Sequence, residues 1–159
     1  MKKSYTWIGI ALLLILSACG QGSNSPTTGS GGEEEVSDWS YDVKIDQVEN
    51  EMDVTMTVTN HQDNESNLDF SSGQKYEIIL RDESGEEVYR YSEGKMFTMA
   101  LVIETVSPGE SLSFTEKVSL EGLEVGEYEL EAELLIIAID GEELEDRDMF
   151  KEVLKVEIE

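Results

Sequence analysis

The sequence predicts an all-β fold, an antiparallel β-sandwich of seven or eight strands, over residues 36–159. Three observations favour it. Apolar and polar residues alternate with a period of two in several short segments, and turn-forming residues separate these segments. The length of the patterned region is the third observation, because it suits one domain with a single core. A signal peptide over residues 1–18 and a disordered tether over residues 19–35 are predicted to precede the sandwich.

The beginning of the chain has the layout of a bacterial export signal. Lys2 and Lys3 stand before an uncharged apolar run that extends from Tyr5 to Leu16. As a helix this run would be about 18 Å long, whereas a spanning segment must cross about 30 Å of hydrocarbon. We therefore expect a signal peptide and not a permanent transmembrane helix.

The residues that close the apolar run, Leu16-Ser17-Ala18-Cys19, resemble the lipobox of bacterial lipoproteins. The resemblance implies that residues 1–18 are removed and that Cys19 is diacylated. Two acyl chains hold a protein stably, whereas one binds only marginally, so we expect an anchor on the extracytoplasmic face of the cell membrane. The alternative is a secreted protein cut by ordinary signal peptidase. Cys19 is the only cysteine in the chain, so no intrachain disulfide is available.

Charge and composition separate the tether from the domain. Residues 19–35 are rich in Gly, Ser and Glu and contain no large apolar side chain, which is typical of a flexible spacer. Loss of Lys2 and Lys3 with the signal would change the formal net charge from −25 to −27, because every acidic residue lies at Glu33 or later. Such a surface repels nucleic acid and offers no basic cluster for an anionic membrane.

Strict alternation predicts the first strands of the domain. Trp39–Ile45 and Met52–Thr59 each place apolar residues on one face, and we expect residues 60–67 to form a polar loop. Tyr76–Leu80 and Val88–Tyr91 are predicted to form a hairpin through a turn that ends in glycine.

The middle of the chain is ambiguous. The apolar run Met96–Ile103 fits either a buried strand or a helical turn followed by a short strand. Ser107-Pro108-Gly109-Glu110 breaks the chain, and the apolar residues of 112–118 indicate another strand.

The last third completes an immunoglobulin-like arrangement. We predict one strand over Tyr128–Ile139, because a helix would stack its regularly spaced glutamates four residues apart. A glycine shortly before Tyr128 is typical of the tyrosine corner of Greek-key sandwiches. Asp140-Gly141 then forms a turn, and Leu154–Ile158 closes the fold as a strand.

Catalytic and metal-binding motifs are weak, so we expect neither an enzyme nor a cofactor. The only cysteine lies in the lipobox, and a Ser-His-Asp triad would depend on His61, the only histidine. The acidic loop Asp140–Asp148 offers oxygen ligands for Ca²⁺ but lacks the residue order of an EF-hand, so we interpret it as a solvated loop. Carboxylates are too abundant for any pair to indicate a glycosidase.

An ordered set of short motifs resembles the Bacillus intracellular proteinase inhibitor (BsuPI) family. They are Phe70-Ser71-Ser72-Gly73-Gln74-Lys75-Tyr76, Gly85-Glu86-Glu87-Val88-Tyr89-Arg90-Tyr91-Ser92, Gly94-Lys95-Met96-Phe97-Thr98 and Pro108-Gly109-Glu110. Seven positions carry the resemblance most directly: Phe70, Ser72, Gly73, Gln74, Tyr76, Arg90 and Tyr91. The resemblance covers Trp39 to Ile139 and implies a non-catalytic β-sandwich that binds a serine proteinase. Tyrosines at 89 and 91, where tryptophan is expected, and the export signal depart from the family pattern.

A proteinaceous inhibitor needs a rigid exposed loop that enters the cleft of the proteinase. Residues 60–72 and 92–98 are the candidate loops, and the second supplies the candidate binding residues Ser92, Lys95, Met96, Phe97 and Thr98. Alternatively, the aromatic motif residues belong to the core and the motif glycines to turns. We expect a membrane-anchored lipoprotein that inhibits a proteinase by protein binding. The alternative is a non-inhibitory envelope module that binds a peptide, a wall component or another envelope protein.

Overall fold

The computed structural model describes residues 38–159, which form eleven antiparallel strands in three sheets. This part of the chain contains no helix, and hence none that is long and apolar enough to span a membrane. The strands are β1 (Trp39–Val48), β2 (Glu51–Asn60), β3 (Ser66–Phe70), β4 (Tyr76–Arg81), β5 (Glu87–Arg90), β6 (Val102–Val106), β7 (Ser111–Ser119), β8 (Gly126–Leu134), β9 (Ile136–Ile139), β10 (Glu142–Glu143) and β11 (Lys151–Ile158). The predicted antiparallel β-sandwich is confirmed, with eleven strands instead of seven or eight.

The core lies between two sheets that have the strand orders β1-β2-β7 and β11-β8-β4-β5. Alternation places the apolar residues of each strand on the inner face. The fully buried members from the three central strands are Met52, Val54, Met56, Val58, Ile78, Leu80, Leu130 and Ala132. Trp39 and Phe150 extend this core, with their rings edge to face at 6.4 Å.

A third sheet, in the order β10-β9-β3-β6, forms because long chain segments bend and change partners. Strand β2 pairs with β7, and after a bend its continuation β3 pairs with β6. Asn60 is buried at this bend, where its side-chain amide donates to the carbonyls of Asn64 and Val106 at 2.9 Å each. The expected polar loop over residues 60–67 was therefore too long: β2 continues to Asn60, and β3 begins at Ser66.

The single strand predicted over Tyr128–Ile139 is two strands in the structure. Strand β8 pairs with β4 and β11, whereas β9 pairs with β3 and β10. The chain changes sheets at Leu135, whose N–H donates to the carbonyl of Lys75 at 2.9 Å. Buried residues stand on both sides of the break, at Leu134 and Ile136, so the sequence pattern continues through it. Strands that bend from one sheet to another are common at the corners of sandwiches.

Two predicted corner features are confirmed. The hydroxyl of Tyr128 donates to the carbonyl of Glu124 at 2.8 Å, as the tyrosine corner requires. Asp140 and Gly141 both have positive φ, 51° and 79°, and connect β9 to β10 as a two-residue hairpin turn. The carboxylate of Asp140 also accepts hydrogen bonds from the Ser66 hydroxyl and the Asn67 N–H, and these bonds lower its pKa.

Candidate functional site

The aromatic motif residues meet in one cluster where β3, β4, β5 and β7 approach the β5–β6 connection. We call Phe70, Tyr76, Tyr91, Phe97 and Phe114 the aromatic cluster. Tyr76 lies at its centre, with ring centroids 4.4 Å from Tyr91 and 5.8 Å from Phe114. Phe97 packs on Tyr91 at 5.9 Å, and Phe70 meets Phe114 edge to face at 6.4 Å. Such ring pairs stabilise beyond their buried area, so the cluster ties the connection to the sandwich.

Two lysines cover the faces of rings in this cluster. The Lys75 ammonium lies 4.4 Å from the Phe70 ring centroid and 2.6 Å from a carboxylate oxygen of Glu104. The Lys95 ammonium lies 3.4 Å from the ring centroid of Tyr91. Each cation therefore makes a cation–π contact of the kind that strengthens when water is excluded.

Glu116 of β7 joins the second lysine to the cluster. One of its carboxylate oxygens lies 3.2 Å from the Lys95 ammonium, and the other accepts a 3.0 Å hydrogen bond from the Tyr76 hydroxyl. Burial raises the pKa of Tyr76, and hydrogen bonding with Tyr91 and Glu116 raises it further. Tyr76 is consequently a neutral donor at physiological pH.

The motif residues Ser72, Gly73 and Gln74 lie between β3 and β4, next to the β5–β6 connection. The Gly73 N–H donates to the carbonyl of Thr98 at 2.8 Å, and a Cβ atom at Gly73 would lie 2.6 Å from the Thr98 hydroxyl oxygen. The Ser72 hydroxyl accepts from the Gln74 N–H at 3.1 Å, and the Gln74 amide donates to the Tyr76 carbonyl at 3.1 Å. Glycine is therefore required at 73 by close approach and not by a left-handed backbone.

Arg90 fixes the start of the connection. Its guanidinium makes two hydrogen bonds, of 2.7 and 2.6 Å, to the carboxylate of Glu87, and it lies 3.7 Å from Glu77. Glu77 in turn accepts the Ser92 N–H at 3.0 Å. The pairing with Glu87 raises the pKa of Arg90 and lowers that of Glu87.

Residues 94–103, which we call the apolar segment, carry the two most exposed large apolar side chains of residues 38–159. Met96 is 98% exposed, Met99 89%, Leu101 61% and Ile103 54%. Lys95 is the only charged residue among these ten, and no other stretch of residues 38–159 without an acidic residue is as long. An apolar patch of this kind on so acidic a protein indicates an interaction surface.

The predicted binding residues Ser92, Lys95, Met96, Phe97 and Thr98 differ in what they contact. Ser92 and Thr98 are held by their backbones, through the Glu77 carboxylate and the Gly73 N–H. Lys95 and Phe97 point onto Tyr91, whereas Met96 extends into solvent. For Met96–Ile103, the buried strand and the helical turn are both wrong, because residues 96–101 are irregular, whereas the short strand of the second alternative is present as β6, which begins at Val102.

The other sequence-based candidates lie elsewhere. His61 follows β2 on the exposed surface, and its ring bonds to the Ser40 hydroxyl at 2.7 Å. Among residues 38–159, no group of three His, Cys, Asp or Glu side chains is placed to hold a metal ion. Cys19, the signal peptide and the tether lie outside the described residues.

The family model of the intracellular proteinase inhibitor BsuPI matches residues 39–138. The chain belongs to the BsuPI family. The match extends from the first residue of β1 into β9, so it includes the seven motif positions, the aromatic cluster and the whole apolar segment. The resemblance inferred from the motifs is confirmed. No match is found among curated proteins.

The solved structures that match this BsuPI protein are distant from it. A GH3 β-glucosidase from Bifidobacterium adolescentis is 17% identical over 76% of this chain, with a TM-score of 0.38. A β-glucosidase from Kluyveromyces marxianus is 11% identical over 76%, with a TM-score of 0.41. A penta-heme cytochrome c552 from Thermochromatium tepidum is 12% identical over 63%, with a TM-score of 0.38. The matches cover 17%, 14% and 33% of those chains, so this protein spans a minor part of each.

Sequence reasoning missed several residues of the aromatic cluster's surroundings and of the apolar segment. Met99, Leu101 and Ile103 belong to a run expected to be at least partly buried, and its apolar composition gave no signal of their exposure. Glu77 and Glu116 were not singled out, because each meets its partner on a neighbouring strand or connection and not in the sequence.

Proposed function

We propose that this protein is a lipid-anchored lipoprotein whose BsuPI domain binds and inhibits a serine proteinase on the extracytoplasmic side of the membrane. The apolar segment would make the contact. The observation that carries this proposal is that Met96 and Met99 are exposed while Phe97, between them, packs on Tyr91. The family to which the domain belongs is described as proteinase inhibitors.

Rigidity of the segment supports inhibition in preference to simple cleavage. Phe97 packs on Tyr91, and the Thr98 carbonyl is bonded to Gly73, so the backbone around Met96 is already ordered. Ordering a loop on binding costs free energy for each immobilised side chain, and a preformed loop avoids much of that cost. A preformed loop also resists the extra distortion that cleavage requires.

Anchoring through Cys19 fits the charge of the protein. The excess of acidic residues gives anionic lipid no electrostatic attraction, so attachment would depend on acyl chains. We expect Cys19→Ser to move the protein from the membrane pellet to the soluble fraction of the cells or the medium. Ser23→Ala, a tether substitution that leaves the cysteine intact, should stay in the pellet. Retention of Cys19→Ser in the pellet would contradict the lipid anchor.

Inhibition is tested by titration. We define the lipid-free chain as residues 19–159 carrying Cys19→Ser. Added to a subtilisin-type serine proteinase, it should abolish activity at a molar ratio near one and remain uncut on a denaturing gel. Progressive cleavage with undiminished activity would mean that the chain is a substrate and would contradict the proposal.

A matched pair of double variants tests which surface is used. Met96→Glu with Met99→Glu adds two charges to the apolar segment, and Val125→Glu with Val153→Glu adds two charges to exposed apolar residues elsewhere. Only the first pair should abolish inhibition. Equal effects of both pairs would show that added negative charge, and not the segment, is responsible.

A non-inhibitory envelope module is the second candidate, because the aromatic motif residues pack mainly against one another and so explain the family motif by folding alone. In that case the lipid-free chain would inhibit no proteinase. It would instead recover another envelope protein from an extract, and the double glutamate variant of the apolar segment would not.

A further inference from the structure

We infer that Met96 is the side chain that enters the specificity pocket of the target, and hence that the target is a proteinase with an uncharged, apolar pocket. This inference rests on the proposed function and specifies its partner. It excludes the reading in which Lys95 is presented to a proteinase that cleaves after basic residues.

The exposure of three consecutive residues distinguishes them. Met96 is almost fully exposed, whereas the ring of Phe97 is half-buried against Tyr91. Lys95 keeps its backbone at the surface but turns its ammonium back onto the protein. Among these three, only Met96 can fill a pocket without first breaking a contact inside the domain.

Lys95 is committed to internal contacts. Its ammonium lies 3.4 Å from the Tyr91 ring centroid and 3.2 Å from Glu116. A proteinase with an acidic pocket would have to remove the cation from both, leaving the Glu116 carboxylate beside the Tyr76 hydroxyl without its positive partner. Losing a cation–π contact and an ion pair together opposes that mode of binding.

Met96 is presented between two fixed points. On its N-terminal side the Lys95 N–H donates to the Ser92 carbonyl at 3.1 Å, after a left-handed Gly94 with φ of 70°. On its C-terminal side the Thr98 carbonyl accepts from Gly73 at 2.8 Å. Only Met96 and Phe97 lie between these bonds, so the methionine projects from a short and ordered span. Its unbranched thioether chain adapts to apolar pockets of different shapes.

Met99 lacks this arrangement and is the natural control. It is also exposed, but the residues that follow it, Ala100 and Leu101, are exposed as well. The chain between the Thr98 carbonyl and the start of β6 at Val102 therefore presents no single side chain. Met99 is expected to contribute contact area and not specificity.

The acidic residues near the apolar segment indicate which charge the rim of the partner's pocket carries. Glu93 and Glu104 flank the segment in the sequence and Glu116 lies 3.2 Å from Lys95, whereas the segment itself contains no acidic residue. Like charges across an interface disfavour binding, and opposite charges accelerate encounter. A neutral pocket with a positively charged rim fits this pattern, and association should slow as salt concentration rises.

The test exchanges specificity on the lipid-free chain. Wild type, Met96→Lys, Met96→Leu and Met99→Lys are titrated against a subtilisin-type proteinase with an apolar pocket and against trypsin, whose pocket is acidic. We expect wild type and Met96→Leu to inhibit the first enzyme, and Met96→Lys to lose about a hundredfold in affinity for it and to gain affinity for trypsin. Met99→Lys should weaken inhibition of the first enzyme less than Met96→Lys does, because Met99 supplies contact area only, and it should gain no affinity for trypsin. An unchanged thermal midpoint confirms that each variant is folded.

Each other outcome overturns the inference in a recognisable way. Inhibition of the first enzyme by Met96→Lys at wild-type strength would show that Met96 does not occupy the pocket, with the inhibitory function intact. Preferential inhibition of trypsin by wild type would assign the pocket to Lys95. Inhibition of neither enzyme by wild type would refute the proposed function, and the inference with it.

Discussion

Replacing Phe70 by alanine should lower the free energy of unfolding by about 4 kcal/mol, although Phe70 belongs to the family motif. Its side chain is fully buried, packs edge to face on Phe114 at 6.4 Å and lies under the Lys75 ammonium. Loss of the buried apolar area costs roughly 2 to 3 kcal/mol, and the residual cavity brings Phe-to-Ala substitutions to about 3 to 5 kcal/mol. Part of the aromatic pair energy, about 0.5 to 1.5 kcal/mol, is lost as well.

Urea unfolding of the lipid-free chain measures this change. With a slope of about 2 kcal/mol per molar urea, a loss of about 4 kcal/mol moves the midpoint down by about 2 M. Met96→Ala is the matched control, because Met96 also lies in a family motif but is almost fully exposed. Its free energy of unfolding should change by less than about 0.5 kcal/mol.

The contrast separates residues that fold the domain from the residue that is presented to a partner. A cost below about 1.5 kcal/mol for Phe70→Ala would contradict the packing described for the aromatic cluster. A cost for Met96→Ala equal to that of Phe70→Ala would mean that Met96 is not free to bind.

Three further predictions concern backbone contact and pH. Gly73→Ala should destabilise the lipid-free chain by about 1 kcal/mol in urea unfolding, because its Cβ would lie 2.6 Å from the Thr98 hydroxyl oxygen; in a Thr98→Ala background that atom is gone, and most of the cost should disappear. The pKa of Asp140 is lowered by hydrogen bonds from the Ser66 hydroxyl and a backbone N–H. Its ionised carboxylate therefore stabilises the fold above the unfolded pKa of about 3.9, and this stabilisation is lost as pH falls through the folded pKa. Asp140→Asn should therefore be less stable than wild type at pH 7 and show a shallower acid limb, and equal slopes would refute this role. The pKa of Glu133 is raised, first by burial and then by neighbouring carboxylates, and a lysine compensates in part. The contribution of Glu133 to folding stability is therefore present below the unfolded pKa of about 4.3 and is lost as pH rises through the folded pKa. Glu133→Gln should match wild type near pH 4 and exceed it at pH 7, and a lower thermal midpoint than wild type at pH 7 would contradict this.

The sequence specified most strands because alternation is a local property. Residues 52–59 needed only their own pattern to indicate a strand with one buried face. The change of sheet at Leu135 escaped prediction because Leu134 and Ile136 are both buried, each in a different sheet. Strand β3 was missed in part because buried Ser66 and Asp69 make it look like a loop. An alternating pattern indicates which residues are buried, but it does not indicate which sheet buries them.

The candidate site was predictable only in outline. The order of the motifs indicated that Tyr76, Tyr91 and Phe97 belong to one family pattern, and the structure places their rings in contact. The orientation of Lys95 depends on Glu116, twenty-one residues away on β7. Since this partner is distant in sequence, no local pattern distinguished the anchored Lys95 from the exposed Met96.

Methionine oxidation provides a map of the interface with internal references. Met96 and Met99 are highly exposed, Met149 is 40% exposed, and Met52 and Met56 are fully buried. Oxidation to the sulfoxide requires access of the oxidant to the thioether sulfur. In the free lipid-free chain the rates should therefore follow this order of exposure.

The decisive measurement repeats this oxidation in the presence of a subtilisin-type proteinase whose nucleophilic serine has been replaced by alanine. If the apolar segment is the inhibitory surface, Met96 becomes protected by about tenfold or more, while Met149 oxidises at its free rate. If Met96 oxidises as fast in the mixture as alone, or if Met149 is protected in its place, the apolar segment does not hold the proteinase.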